Sequence, residues 1–366
     1  MNRSICFAML LISLSGCADL GYYLHVANGQ LDLISKRRPI AQVVTDEETP
    51  DHLRQQLELV LKVRRFAFDQ MHLPESGSYD SYADLGRPWV VKNLFAAPEF
   101  SVDPVRWCYP VAGCTRYRGF FDEARLDDFV AGLEASGHDV YVASVAAYST
   151  LGWFDDPVLN TFVFRLQSRL VGLIIHELAH QRLYIEDDSQ FNESFASAVE
   201  QIGVERWLSA HGEPGQFARY QTRKANRHRV FELIQQARQQ LADLYALGLE
   251  ADVMRQGKQR VIADLKQRYQ DLSAGFDVKD GFSGWFARDI NNAQLLSVST
   301  YHDWVPAFLS IYRDAREDLP RFYARVEQLS ELEPKSRRRC LEQWLINQPR
   351  HAVCTFAGTE PGGLKD

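Results

Sequence analysis

The segment His176–His180, which reads His-Glu-Leu-Ala-His, restricts the fold of this 366-residue chain more than any other feature. The sequence from about Val158 to Leu183 has the apolar spacing of a long helix, with a predicted inner face of Leu166, Leu170, Leu173 and Ile174. Two residues at positions i and i+4 lie on the same face of a helix, one turn apart. Both imidazoles, His176 and His180, can therefore bind one cation, and Glu177 can take a proton from water beside it. The segment predicts a catalytic Zn²⁺ site on a helix.

A catalytic zinc ion needs a third protein ligand and an open coordination position. Ser189 to about Ser209 has the spacing of a second helix, and Glu193 near its start is the predicted third ligand. Glu200, about two turns further along this helix, is the reserve candidate. The metzincin class is disfavoured because it needs a glycine and then a histidine soon after the second histidine, whereas this chain continues Gln-Arg-Leu-Tyr.

The N terminus has the organisation of a secretory signal. Arg3 precedes a short apolar run that ends in Leu14-Ser15-Gly16-Cys17, and this run is too short to span a bilayer as a helix. Leu-Ser-Gly-Cys resembles the lipobox of bacterial lipoproteins, which implies cleavage before Cys17 and acylation of that cysteine. An ordinary secretory signal is the alternative. In such lipoproteins an aspartate in second place marks the inner membrane, and Asp19 is third in the mature chain, which favours the outer membrane.

Six cysteines in a chain of this length do not form a disulfide scaffold. Beyond the signal and the lipidated cysteine, an oxidising periplasm permits pairing of the four that remain: Cys108, Cys114, Cys340 and Cys354. The pairs that are local in sequence, Cys108 with Cys114 and Cys340 with Cys354, are favoured, although all three connectivities stay open. No C-x-x-C motif is present among them, which argues against a thiolate metal site.

The rest of the chain predicts an α+β fold that is mainly helical. Helical spacing recurs from Asp51 to about Met71 and through 285–350. In residues 73–120, Pro and Gly separate short apolar and aromatic stretches, which predicts β-hairpins and loops. Asp139–Tyr148 is the strongest strand candidate. Residues 216–274 predict an antiparallel helical hairpin, either packed on the body of the protein or extended as an arm for a protein partner. The formal charge of −7 argues against a nucleic-acid partner.

At the zinc motif the chain resembles the gluzincin metallopeptidases. Phe191–Ser197, which reads Phe-Asn-Glu-Ser-Phe-Ala-Ser, is similar to the third-ligand helix of zinc aminopeptidases that carry Asn-Glu-Gly-Phe-Ala. Ser197 occupies the position where many gluzincins place an acidic partner for a histidine. The Gly-Ala-Met-Glu-Asn segment with which those aminopeptidases hold the substrate amine is absent.

A broader resemblance covers most of the mature chain. The lipobox, Ala146–Pro157, the zinc-motif helix, the Asn-Glu-Ser-Phe-Ala helix and Thr300–Asp303 together resemble the bacterial family of predicted aminopeptidases. The resemblance implies a zincin-like metallopeptidase core with a small β-sheet edge strand and a helical hairpin extension. The expected segments are a signal peptide (1–16), a lipidated tether (17–50), a zincin-like catalytic region (51–215), the helical hairpin (216–274) and a C-terminal helical region that completes the active-site cleft (275–366).

Several side chains outside the zinc motif are candidates for supporting roles. The strand from Val140 to Tyr148 either pairs with an extended peptide substrate or is an ordinary buried strand. Asp155 and Asp156 either bind a substrate amine or cap the catalytic helix. The candidate donors to a developing oxyanion are Tyr301, His302 and Tyr148.

The sequence therefore predicts a zinc-dependent peptidase, with aminopeptidase activity expected from the resemblance. The lipid anchor on Cys17 would hold it at the bacterial cell envelope, on the outer membrane facing the periplasm. Two alternatives stay open: a non-catalytic envelope lipoprotein that binds partner proteins, and a zinc hydrolase of non-peptide amides such as cell-wall fragments. Exo- versus endopeptidase specificity is not determined by these residues.

Overall fold

The computed structural model describes residues 21–22, 25–109, 113–147, 155–298, 304–346, 354 and 356. Within these ranges the chain is mainly helical with three small sheets, as expected for the α+β class. It divides into two compact units, each assembled from three separate stretches. Unit 1 comprises Met1–Arg37, Ala83–Tyr148 and Ala218–Val298, and unit 2 comprises Arg38–Tyr82, Ser149–Phe217 and Ser299–Asp366.

The strands are short, and most of the described residues lie in helices. The strands are β1 (Arg38–Pro39), β2 (Ser81–Ala83), β3 (Val91–Pro98), β4 (Trp107–Tyr109), β5 (Gly113–Thr115), β6 (Arg118–Phe120), β7 (His138–Val145) and β8 (Val158–Leu159). The helices are α1 (25–35), α2 (Ile40–Thr45), α3 (Asp51–Asp69), α4 (Glu123–Ala135), α5 (Gln167–Arg182), α6 (Ser189–His211), α7 (Gln216–Ala246), α8 (Ala251–Ala274), α9 (Ser283–Phe286), α10 (Asn292–Ser297), α11 (Val305–Asp314), α12 (Leu319–Ser330) and α13 (Pro334–Leu345).

Unit 1 contains a three-stranded antiparallel sheet in the order β6-β3-β7. The register of β3 and β7 runs from Val91 opposite Val145 to Pro98 opposite His138. Helix α4 packs on this sheet through a small apolar cluster of Leu94, Phe120 and Leu126. The sheet therefore has its own core.

Helices α7 and α8 of unit 1 form an antiparallel pair joined by a short connection. Arg268 of α8 donates to Gln236 of α7 at 2.5 Å, and a Cβ on Gly257 would lie 2.6 Å from the side chain of Leu244. Burial of the apolar seam stabilises the pair. The buried residues of the seam and of the adjoining α9–α10 segment are Val230, Ile234, Ala237, Leu241, Leu265, Tyr269, Phe282, Phe286, Ile290, Leu295 and Val298.

Unit 2 is built around α5 and α6. Both helices are largely buried, and aromatic residues of α6 pack against those of the C-terminal helices. The ring of Phe191 meets that of Phe308 edge-on at 5.1 Å, and Phe195 stacks near Phe322 at 6.2 Å. This packing fixes the position of α6, the helix that carries Glu193.

The helix that carries His176 and His180 begins later than the sequence spacing predicts. Val158 and Leu159 are buried and form β8, which pairs next to β2, and turns follow before α5 starts at Gln167. The β-branched, fully buried Val158 favours a strand, so the helical period from 158 was wrong over its first turns. Leu166 consequently lies outside the inner face, with 57% of its surface exposed.

The disulfides have the local pairing that the sequence favoured. Cys108 is bonded to Cys114 across the β4–β5 hairpin, and Cys340 of α13 is bonded to Cys354. None of the helices among the described residues combines the length and the hydropathy that a membrane span requires.

Candidate metal centre

Helix α5 presents His176 and His180 on adjacent turns. The helix is anchored by fully buried apolar residues, and their burial from water stabilises its position. The ring centroids of the two histidines are 4.9 Å apart and the rings are nearly perpendicular, at 83°. His180 is buried, whereas His176 is only partly covered. The buried residues of α5 are Leu170, Val171, Ile174, Ile175, Leu178 and Ala179.

A short reversal between α5 and α6 sets where the second helix begins. The buried Asn192 side chain donates to the carbonyl of Ile185 at 2.7 Å and accepts from its amide at 2.8 Å. Asp188 caps α6 by accepting from the Phe191 amide, and the buried Arg337 donates twice to Asp188 at 2.7 and 3.0 Å. The asparagine that precedes Glu193 therefore closes the loop and positions the helix that carries the glutamate.

Glu193 lies opposite both histidines. Its Oε2 is 3.3 Å from His176 Nε2, and its Oε1 is 3.6 Å from His180 Nε2. Ligands at about 2.0–2.1 Å from a tetrahedral zinc ion lie about 3.3 Å from one another. The spacing of these donor atoms therefore suits one small cation held between them.

Glu200 contacts the other side of His176. Its Oε2 lies 3.2 Å from His176 Nδ1, the ring nitrogen that does not face Glu193. A Cβ on Gly172 would stand 2.8 Å from Glu200 Oε1, so the glycine leaves the space that this carboxylate occupies. Glu200, the alternative third ligand of the sequence analysis, therefore orients the His176 ring. Carboxylates that bond to the far nitrogen of a ligating histidine do the same at metal sites.

The carboxylates around His176 give the two histidines opposite proton affinities. Burial lowers the pKa of His176, but hydrogen bonds to Glu193 and Glu200 outweigh it and raise the pKa to about 10. Burial, and next the charge of His176, lower the pKa of His180 to about 4. In the metal-free protein a proton on His176 thus takes the place that a cation would otherwise have between these groups.

The donor set fits zinc. Two imidazoles and one carboxylate are a common ligand set for catalytic zinc, and they leave one position open. His176, His180 and Glu193 are the one such group of three found in the part of the chain that the structure describes, and their ligand atoms lie within 4.8 Å of one another. His180 Nδ1 is buried and has no partner among the described residues.

Two tyrosines lie near this group, and the sequence analysis assigned a role to neither. The ring of Tyr184, just beyond α5, is centred 6.3 Å from that of His180. Partial burial and then the charge of Glu193 raise the pKa of Tyr184. Tyr79 is close enough to Glu177 for that carboxylate, after burial, to raise the tyrosine pKa. Tyr184 follows His180 by four residues, a spacing that the sequence shows, whereas only the folded chain associates Tyr79 with the motif.

The structure describes some of the other predicted site residues and not others. Tyr148, Tyr301, His302 and Cys17 lie outside the described residues. Glu177 follows His176 on α5 and is half-buried. Asp155 and Asp156 do not cap α5, because the helix starts only at Gln167 with Leu166 before it.

The strand β7 is at the edge of its sheet within the described residues, but its carbonyls are partly used. Asn291 donates to the carbonyl of Val140 at 2.9 Å, and Arg288 donates to that of Val142 at 3.3 Å. The strand belongs to unit 1 and the zinc motif to unit 2. Pairing of this strand with a substrate stays a prediction.

Comparison with known proteins identifies one family. The chain matches no curated protein and no solved structure. A family model described as Putative aminopeptidase matches residues 21–341, which include α5 and α6. Because this match covers most of the 366 residues, the chain belongs to the Putative aminopeptidase family.

Proposed function

We propose that this protein is a zinc-dependent aminopeptidase with a zincin-like core. The observation that carries the proposal is the convergence of His176 Nε2, His180 Nε2 and the Glu193 carboxylate, with Glu177 next to them on α5. Membership of the Putative aminopeptidase family supports peptide hydrolysis as the activity.

His176, His180 and Glu193 would hold the zinc ion. When bound, zinc supplies a Lewis acid that lowers the pKa of water and polarises a carbonyl group. Glu200 keeps the His176 ring in place through Nδ1, so that Nε2 stays directed at Glu193. Asn192 and Asp188 hold the start of α6 so that Glu193 stays in reach of both rings.

Glu177 would act as the general base. A carboxylate at this place accepts a proton from the attacking water and then passes it to the leaving amine of the cleaved peptide. Tyr148, Tyr301 and His302 remain candidate donors to the oxygen that becomes negative. The signal-like N terminus supports a mature protein anchored through Cys17 to the outer membrane, on its periplasmic side.

The test combines metal analysis with cleavage of a mixed peptide library, with and without a chelator. We expect one zinc per chain, activity that the chelator abolishes, and products that differ from their substrates by one N-terminal residue. Internal cuts would contradict aminopeptidase specificity. Stoichiometric zinc with activity on peptidoglycan fragments but none on peptides would instead indicate the amide hydrolase. A protein without stoichiometric zinc or hydrolysis would indicate the binding lipoprotein.

Two variants test the assigned roles. Glu177→Gln should keep zinc and lower kcat by about 10²–10⁴-fold, because it removes the base. His180→Ala should lower the zinc content because it removes a ligand. The matched controls Glu205→Gln and His228→Ala, at exposed positions, should change neither zinc content nor kcat. Full turnover by Glu177→Gln would remove this residue from the mechanism.

A further inference from the structure

The loop before β2 lies along the face of α5 that carries Glu177. Gln181, one turn after Glu177, donates to Ser78 Oγ at 3.0 Å, and the amide of Asp156 is 3.3 Å from the same oxygen. Ser78 is buried, and Arg64 donates to its carbonyl at 2.7 Å. The loop is therefore tied to the zinc-motif helix at Ser78.

Tyr79, the next residue, has a backbone conformation that side chains with a Cβ rarely adopt. Its φ is 61°, in the left-handed region, and its amide donates to the Asp156 carbonyl at 2.6 Å. Such conformations persist where the surroundings enforce them, and they occur often at functional sites. The contacts through Ser78 and Asp156 supply that enforcement here.

The Tyr79 side chain is buried, yet its hydroxyl is not used by the fold. Only 3% of the residue is exposed, and its ring packs edge-on against Phe162 at 6.5 Å. Among the described residues, none forms a hydrogen bond with the hydroxyl. Packing against Phe162 needs only the ring, so none of the described contacts accounts for the polar tip of this side chain.

The charges around this hydroxyl keep it protonated. Burial, then the carboxylate of Glu177 and then that of Asp156 raise the pKa of Tyr79 well above its ordinary value. The group is therefore a neutral donor within range of the Glu177 charge. A substrate oxygen that gains negative charge there would have this proton to accept.

We propose that Tyr79 is a further catalytic residue, whose hydroxyl donates a hydrogen bond to the substrate oxygen that becomes negative next to Glu177. The proposal rests on the function proposed above. It is carried by the left-handed backbone at Tyr79, by the hydroxyl without a hydrogen-bond partner among the described residues, and by the attachment of this loop to α5 through Gln181 and Ser78.

Tyr79→Phe in the full-length protein tests this assignment against Tyr323→Phe. Tyr323 is also buried in unit 2, but its hydroxyl donates to the Met71 carbonyl at 2.8 Å. Tyr79→Phe should lower kcat about 100-fold while KM, Tm and zinc affinity stay unchanged, because the hydroxyl bonds to none of the described residues. Tyr323→Phe should do the reverse, with a lower Tm and an unchanged kcat.

A binding measurement separates this inference from the proposed function. A phosphinic dipeptide presents an anionic tetrahedral group, and calorimetry should show its affinity reduced about tenfold by Tyr79→Phe and unchanged by Tyr323→Phe.

A Tyr79→Phe protein with wild-type kcat and affinity, or with Tm and zinc affinity lowered along with kcat, overturns the assignment. A wild-type protein that binds the dipeptide but cleaves no peptide overturns the proposed function, and the affinity ratio then decides the role of Tyr79. A wild-type protein that neither cleaves nor binds overturns both.

Discussion

Two clusters of charged side chains, one in each unit, achieve charge balance differently. In unit 1, Lys258 Nζ lies 2.5 Å from Asp139 Oδ2 and also donates to the Glu99 carbonyl, while Arg255 forms two bonds to the Glu99 carboxylate. The amide of Asn292 completes the contacts of Asp139 at 2.8 Å. Each carboxylate thus faces a lysine or an arginine of the protein itself, so the cluster requires no bound ion for charge balance.

The unit 2 cluster is different because its positive partners are histidines. Glu193 and Glu200 both contact His176, whose charge depends on bound protons. A site of this kind can exchange its proton for a metal ion, whereas the lysine and arginine of unit 1 cannot be displaced in this way. The contrast predicts that the first cluster serves stability and the second serves ligand binding, as the proposed function requires.

The largest expected effect comes from breaking the complete cluster. Lys258→Met would leave Asp139 without its cation at a site where both side chains are at least four-fifths covered. We expect the free energy of unfolding to fall by about 3 kcal/mol, measured by urea denaturation, with zinc content unchanged. The double variant Lys258→Met/Asp139→Asn should recover most of the loss, since the neutral amide still accepts from Asn292. A loss of zinc without a loss of stability would reverse the roles assigned to the two clusters.

Zinc removal should expose a pH-dependent stability in the second cluster. Folded His176, with a pKa of about 10, holds a proton that the unfolded chain releases above its ordinary 6.5, so stability falls as pH rises through this window. Folded His180, with a pKa of about 4, lacks a proton that the unfolded chain binds below 6.5, so stability also falls as pH drops.

We therefore expect the contribution of this pair to peak near pH 6.5 in chelator-treated protein, measured as Tm from pH 4 to 10. The zinc-loaded protein should not show this peak, because the metal replaces the proton. The same profile with and without chelator would contradict the exchange of proton for metal.

Glu200→Gln should weaken zinc binding about 10–100-fold, because an amide orients and polarises His176 less than a carboxylate does. The affinity is measured by competition with a chromophoric chelator. Glu205→Gln, at an exposed position on the same helix, is the control and should leave the affinity unchanged. An unchanged affinity in Glu200→Gln would show that the outer contact is incidental.

The smallest effect is expected for Gly172→Ala. The added methyl group would meet Glu200 Oε1 at 2.8 Å, and a flexible glutamate can move away from it. We expect zinc affinity to fall by less than in Glu200→Gln, since the contact to His176 is displaced but the charge remains. Combining Gly172→Ala with Glu200→Gln should add little to the glutamine variant alone, because both changes act on one contact.

Local patterns in the sequence predicted much of the helical framework. The second zinc-site helix was predicted from 189 to about 209 and is observed over Ser189–His211, because its apolar residues repeat with the helical period and Asp188 caps it. The period failed before Gln167, where Val158 and Leu159 pair in a sheet instead. A short apolar run is compatible with both the helical and the strand period, and only pairing with a neighbouring strand decides which structure forms.

The sequence by itself determined which residues share a helical face, and hence that His176, His180 and a carboxylate on the following helix can come together. Spacing along a helix is a local property, so it can be derived without knowing the fold. Only the tertiary structure decided that Glu200 contacts His176 over Gly172 and that Gln181 bonds to Ser78 in the loop that carries Tyr79. These are contacts between segments far apart in the chain, and the packing of the whole unit selects them.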